Sequence, residues 1–202
     1  MSAASIDAWR ELAEGNARFI ADEPRHPNQD ARRRAEVAQG QHPVAALLGC
    51  SDSRVAAEVL FDRGLGDLFV IRNAGQVASA SALASIEYAV AVLDVPLVVV
   101  LAHDSCGAVK AAIDAEQPDA PMLPPLIAAH VDRIVPAVHA VADGTDADAV
   151  GQAHLEATVA ALLQESELLA AAVAEGSVAV IGAEYRLADG RVHRRFTVGE
   201  AE

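Results

Sequence analysis

Four short, unbroken apolar runs constrain what this chain can fold into. Residues 44–49 (VAALLG), 68–71 (LFVI), 97–101 (LVVVL) and 178–181 (VAVI) contain no polar position. A strand wetted on one face alternates apolar with polar residues; a strand covered on both faces does not. Helical spacing fills the intervals at residues 56–62, 78–93, 108–116, 123–142 and 147–174. Strands that alternate with helices build βαβ units, and so a parallel sheet with helices on both faces. Asp189-Gly190 is a hairpin turn signal joining residues 185–187 to 192–196, which predicts an antiparallel last strand at an edge. Ahead of the core, residues 5–21 read as a helix capped by Ser5, with Ile6, Trp9, Leu12, Ala13, Asn16, Phe19 and Ile20 at helical spacing. A proline-containing loop and a polar helix near residues 30–39 follow. The expected fold class is α/β: a mostly parallel β-sheet core with an antiparallel edge strand, flanked by helices, with an N-terminal helical arm. It forms one domain over residues 1–202, with 1–40 as an arm able to reach another subunit and 44–202 as the core.

Composition narrows the function classes. Of the 202 residues 52% are hydrophobic but only 3% aromatic, so the core is expected to be built of closely packed alanine and valine. A mean hydropathy of +0.23 is high for a soluble monomer and points to a large subunit interface. The net charge of −14, from 15 basic and 29 acidic residues, repels phosphate backbones and argues against a nucleic-acid partner. The one basic cluster, Arg32-Arg33-Arg34, is short enough to be a solvated helix face. The first residues include acids and form no apolar signal core, and the longest apolar run, 95–102, is too short to span a bilayer. A cytoplasmic protein with no membrane partner is expected. Its two cysteines then read as ligands or free thiols rather than a disulfide.

Ligands of open α/β sheets bind beyond the carboxyl ends of the strands. Two segments fall there, Gly49-Cys50-Ser51-Asp52-Ser53-Arg54 and His103-Asp104-Ser105-Cys106-Gly107, and they hold both cysteines. Two thiolates and an imidazole are good Zn²⁺ ligands, and three protein ligands leave a fourth position open. His103 and Cys106, three apart at a helix start, can face one ion, and the helix dipole favours the thiolate. Patterning alone leaves two buried small thiols as an equal alternative and does not separate catalytic from structural zinc. Asp52 and Arg54 alternate with Cys50, so an extended segment would point all three the same way. There Asp52 can orient a hydroxide nucleophile and Arg54 can hold the carboxylate; an ordinary turn-stabilising ion pair is the competing reading.

Cys50-Ser51-Asp52-Ser53-Arg54 followed by His103-x-x-Cys106-Gly107 resembles the β-class carbonic anhydrases, most of all the bacterial, actinobacterial-type branch. The likeness extends through Phe69–Gly75 (FVIRNAG), Ser85–Val90 (SIEYAV) and Gly182–Val192 (GAEYRLADGRV) and covers most of the chain. It implies one Zn²⁺ per chain held by Cys50, His103 and Cys106, with Asp52 and Arg54 as the dyad that orients the attacking hydroxide. It implies a lyase that hydrates carbon dioxide reversibly to bicarbonate and a proton. Gln41, Phe69, Tyr88 and Gly107 correspond to substrate-pocket positions, and plain core packing is an equal reading for Phe69 and Tyr88. In some members the aspartate fills the fourth metal position at lower pH, which Asp52 can also do. A homodimer or homotetramer is implied. Members with a non-catalytic bicarbonate site carry tryptophan three residues before the first cysteine; Leu47 stands there, beside matching Arg72 and Tyr185, so no such site is expected. Hydrolysis of carbonyl sulfide or carbon disulfide on the same scaffold, and a zinc or thiol protein without turnover, are the alternatives. Of the remaining histidines, His26, His42, His130, His139, His154 and His193, sequence places none as the shuttle that carries the proton out, and each reads as a surface residue.

Overall fold

The computed structural model of the chain describes residues 2–120 and 122–199. One sheet carries β1 (Ala45–Cys50), β2 (Leu68–Asn73), β3 (Leu97–His103), β4 (Ala179–Tyr185) and β5 (Val192–Val198) in the order β2-β1-β3-β4-β5. The first four strands run parallel, and β5 pairs antiparallel with β4 at the edge. Helices α1 (Ala3–Ile20), α2 (Ala31–Val37), α3 (Ala57–Leu60), α4 (Ala80–Ala91), α5 (Gly107–Ala115), α6 (Pro125–Val131), α7 (Val135–Ala140), α8 (Ala147–Glu165) and α9 (Glu167–Ala174) complete the described residues. Each apolar run became a strand.

The unbroken apolar character of β1 and β3 has a direct cause: every residue of both strands is buried. Successive side chains point to opposite faces. Ala46, Leu48, Val98 and Val100 pack with Ile86 of α4 and Leu155, Val159 and Leu162 of α8. Ala45, Leu47, Leu97, Val99 and Leu101 pack with Leu12 of α1 and Leu60 of α3. The chain leaves β1 for β2 on one side and places β3 on the other. The sheet therefore switches direction between β1 and β3, and this opens a crevice beyond their carboxyl ends. A third cluster, in which Val109, Ile113, Ile134 and Val150 surround Cys50 and Cys106, closes over that crevice.

Three local expectations change. Ser2, not Ser5, caps α1; Ser5 is fully buried and its hydroxyl donates to the Pro96 carbonyl at 2.9 Å. Residues 123–142 form two helices, because Pro136 lacks the N–H that a continuous helix needs and sits instead in the first turn of α7. Residues 147–174 break at Ser166, whose hydroxyl accepts from Leu169 N–H at 3.0 Å, caps α9 and donates to Glu87 at 2.7 Å; α8 and α9 meet at 98°. The arm helix α1 lies on its own sheet. Asn16 donates to the carbonyls of Leu60 and Gly190 at 3.1 and 2.9 Å and accepts from Val192 N–H at 2.9 Å, which ties α1 to the β4–β5 hairpin. Among the described residues no single helix is long and apolar enough to cross a membrane.

Candidate metal centre

Cys50 is the last residue of β1 and His103 the last of β3, on adjacent parallel strands. Cys106 is the N-cap residue of α5, reached through Ser105 in the left-handed region at φ 53°. The three residues are 5%, 5% and 6% exposed, and the sulfur and nitrogen atoms they offer all lie within 4.8 Å of one another. His103 Nδ1 lies 2.8 Å from the Asp104 carbonyl, which only accepts, so this nitrogen carries the proton. In the neutral ring, the form that can bind a metal, Nε2 is then a lone pair; this atom is buried and without a hydrogen-bond partner among the described residues.

The two sulfurs are 4.0 Å apart. Two thiolates at about 2.3 Å from a tetrahedral zinc ion would stand roughly 3.8 Å from each other. The charge state of the pair fits a cation as well. Contact with Cys106, helped by His103 and the N–H groups of Gly75 and Asp52, outweighs burial and pulls the Cys50 thiol down to about 4. The Cys50 sulfur, and then burial, push Cys106 far up. Two buried sulfurs this close oppose a second negative charge, and a bound cation would stabilise both as thiolates. An orphaned imidazole lone pair and two soft sulfurs form a donor set that suits zinc.

Asp52 and Arg54 do not follow the expected alternation, because residues 51–54 bend away from the strand. Asp52 Oδ1 accepts from the backbone N–H of Arg54 at 2.9 Å, closing a tight side-chain turn. Arg54 then folds back, donating from Nε to Oδ1 at 2.9 Å and from Nη2 to Oδ2 at 2.8 Å. This guanidinium fork holds the Asp52 carboxyl far below the usual carboxylate range. Oδ2 stands 3.9 Å from His103 Nε2, beside the convergent ligands rather than remote from them. Arg72 supports the turn from β2, donating from Nε to the Cys50 carbonyl at 2.9 Å and from Nη2 to the Asp52 carbonyl at 2.7 Å.

Residues 45–192 match the family model described as carbonic anhydrase. The chain belongs to the β-carbonic anhydrase family. It is 47% identical to the carbonic anhydrase of Mycolicibacterium smegmatis over 198 residues, covering 96% of this chain and 95% of that one. It is also 47% identical to carbonic anhydrase 2 of Mycobacterium tuberculosis over 196 residues, covering 96% and 94%. Among solved structures, a tetrameric β-carbonic anhydrase of Sordaria macrospora superposes with a TM-score of 0.71 at 25% identity over 82% of this chain and 87% of that one. The Coccomyxa β-carbonic anhydrase, solved in complex with acetazolamide, gives 0.70 at 28% over 82% and 78%.

The pocket residues implied by the β-carbonic anhydrase resemblance occupy two places. Gly107 opens α5 next to Cys106, and a Cβ added there would meet nothing within 4 Å. It borders a trough of about 550 Å³ walled by His103, Cys106, Lys110, Ile113 and Thr145. Gln41, Phe69 and Tyr88 lie elsewhere in the chain. Phe69 pairs with Ala46, four residues before Cys50, which is about 13 Å along the strand at 3.3 Å per residue. Its ring meets Tyr88 of α4 at 6.0 Å between centroids. Gln41 is exposed just before β1 begins, at the far end of that strand from Cys50. The chain thus brings Cys50, His103 and Cys106 together beside the Asp52–Arg54 pair but keeps these three apart from them. Sequence reading missed the support given by Arg72, although its place at the end of β2, beside β1, is a signal. It also missed the burial of His154.

Proposed function

We propose that this β-carbonic anhydrase holds one Zn²⁺ through Cys50, His103 and Cys106 and interconverts carbon dioxide and bicarbonate. The observation that carries the reading is the convergence of two buried sulfurs and a bare imidazole nitrogen beside an arginine-clamped carboxylate. Bound zinc supplies Lewis acidity that makes hydroxide available from water near neutral pH.

The chain's own residues supply orientation. Asp52 is ionised throughout the working pH range, so it is an obligate acceptor for the O–H of the nucleophile. By accepting that hydrogen it turns an oxygen lone pair toward the carbon of CO₂. One C–O bond forms, a C=O π pair moves to oxygen, and bicarbonate results; hydration releases one proton to solvent. Arg54 keeps Asp52 from rotating away, and Arg72 fixes the backbone beneath both. Gly107, without a side chain, lets substrate approach the ligands closely.

We further propose that a second copy of the chain completes the pocket. The edge strand β2 and helix α4 form an uncovered face, with Tyr88 47% and Val92 57% exposed next to Phe69. A twofold-related copy docked on this face brings Gln41, Phe69 and Tyr88 to its partner's ligands, in a homodimer or a homotetramer built from such dimers. Two unpaired thiols suit a reducing compartment, and we place the enzyme in the cytoplasm. Stopped-flow assays with CO₂, carbonyl sulfide and carbon disulfide test the substrate assignment. CO₂ hydration should dominate, and turnover of the sulfur compounds alone would overturn the reading.

A further inference from the structure

The loop after β2 touches the metal centre at one atom. The N–H of Gly75 donates to the Cys50 sulfur at 3.3 Å. This loop is not relaxed: next to Gly75 at φ +75°, which glycine adopts freely, the non-glycine Gln76 is held at φ +42°. Gln76 is buried, and its Oε1 has no partner among the described residues. Such a backbone persists only where its surroundings over-determine it. A Cβ on Gly75 would stand 2.8 Å from Ala108 Cβ and 2.9 Å from Ile134 Cδ1, so the peptide is wedged between α5 and the segment joining α6 to α7.

Three basic side chains hold the loop from the helical side. His130 Nε2 donates to the Ala74 carbonyl at 2.5 Å, His154 Nε2 to the Gly75 carbonyl at 2.6 Å, and Arg133 Nη2 to the Ala78 carbonyl at 2.6 Å. Carbonyls only accept, so both imidazoles carry their proton on Nε2. The Ala74 carbonyl and the Gly75 N–H belong to one peptide unit. His130, that peptide and the Cys50 sulfur therefore form a continuous hydrogen-bonded chain, in which each bond polarises the next. His154 grips the following peptide and is 3% exposed on α8. Burial, with His130 nearby, holds its pKa below the ordinary histidine value, so it stays a neutral donor.

We propose that His130 and His154 are positioning residues of the metal centre: His130 fixes and polarises the peptide that donates to the Cys50 sulfur, and His154 fixes the next peptide and so holds Gly75 in place. They touch neither ligand nor substrate, yet set how much charge that sulfur gives a bound ion. The inference rests on the reading that Cys50, His103 and Cys106 hold zinc. Outer partners of this kind typically alter metal affinity by about 10- to 100-fold.

The test compares wild type with His130→Ala, His130→Gln, His154→Ala and His154→Gln, each in zinc- and cobalt-loaded form. The alanine variants should release zinc to a chelator about 10- to 100-fold faster. Their sulfur-to-cobalt charge-transfer band should move to lower energy, because a sulfur whose N–H bond is weakened is easier to ionise. Glutamine, which keeps an N–H donor at similar reach, should recover part of both effects. If His154→Ala does not fold, the half-buried His130 decides the question. Unchanged release and an unmoved band in folded His130→Ala, even with a lowered Tm, would overturn the proposal and leave the histidines as staples of the fold. A wild-type protein that takes up no cobalt through sulfur would overturn the zinc reading itself, and this inference with it.

Discussion

Asparagine at position 52 keeps the shape of the side chain and removes only its charge and one acceptor. In the native site Oδ1 accepts from the N–H and Nε of Arg54, and Oδ2 accepts from Nη2 at 2.8 Å. If the asparagine oxygen stays on Oδ1, its amide nitrogen faces Nη2, donor against donor. The side chain has to turn, and it no longer presents a charged acceptor to the nucleophile. A hydrogen bond to a charged group contributes about 1.5–3 kcal/mol. At about 1.36 kcal/mol per tenfold, its loss in the transition state lowers kcat/KM by roughly 10- to 150-fold. The fold should not suffer, because Arg54 is 52% exposed and solvent screens the pair. The backbone carbonyl that Arg72 holds is also unchanged. The assay is stopped-flow CO₂ hydration on Asp52→Asn, with zinc content and Tm measured on the same sample. The expected result is full zinc, a Tm within about 4 °C of wild type and a slowed reaction. Full zinc with kcat/KM within twofold of wild type would refute the assigned role of Asp52.

Gly75→Ala should lower Tm and speed zinc loss together, since the new Cβ needs the left-handed region and meets Ala108 and Ile134 below 3 Å; thermal melts and chelator competition check this. Asp62 is buried, and its pKa is lowered because the N–H groups of Arg25 and His26 and the Arg18 guanidinium outweigh the cost of burial. A depressed folded pKa contributes stability above the unfolded value of about 4 and loses it as pH falls through the folded value. Asp62→Asn should therefore lower neutral-pH stability and flatten the acid limb in urea melts from pH 7 down to pH 2. If a second copy docks on the face formed by β2 and α4 as proposed, Tyr88→Asp should yield monomers in sedimentation velocity and reduce activity, although Tyr88 is remote from Cys50, His103 and Cys106 in its own chain.

The strands were legible because burial on both faces leaves no polar position, as every residue of β1 and β3 shows. The candidate ligand set was legible because parallel strands deliver their carboxyl ends to one edge, which brought Cys50 and His103 together from 53 positions apart. Less local features were hidden. A period-two argument aligned Asp52 and Arg54 with Cys50, but the Asp52 side chain captures the Arg54 N–H and bends the backbone instead. Helical periodicity continued through Pro136 and Ser166, where a missing donor and a side-chain cap end helices that the apolar pattern would extend. His154 read as a surface residue because a histidine becomes a core donor only when a distant carbonyl, here that of Gly75, needs one. Gln41, Phe69 and Tyr88, assigned to the pocket by resemblance, lie away from the candidate ligands within one copy of the chain, and chain order carries no signal for the second copy proposed to supply them.

Hydration of CO₂ should depend on one ion held by Cys50, His103 and Cys106. Titrating Zn²⁺ into metal-free protein while following the hydration rate tests it most directly. The rate should rise linearly and level off at one zinc per chain, and Cys106→Ser should abolish the rise. A rate that is independent of zinc, or that is restored in full in the serine variant, would contradict the account.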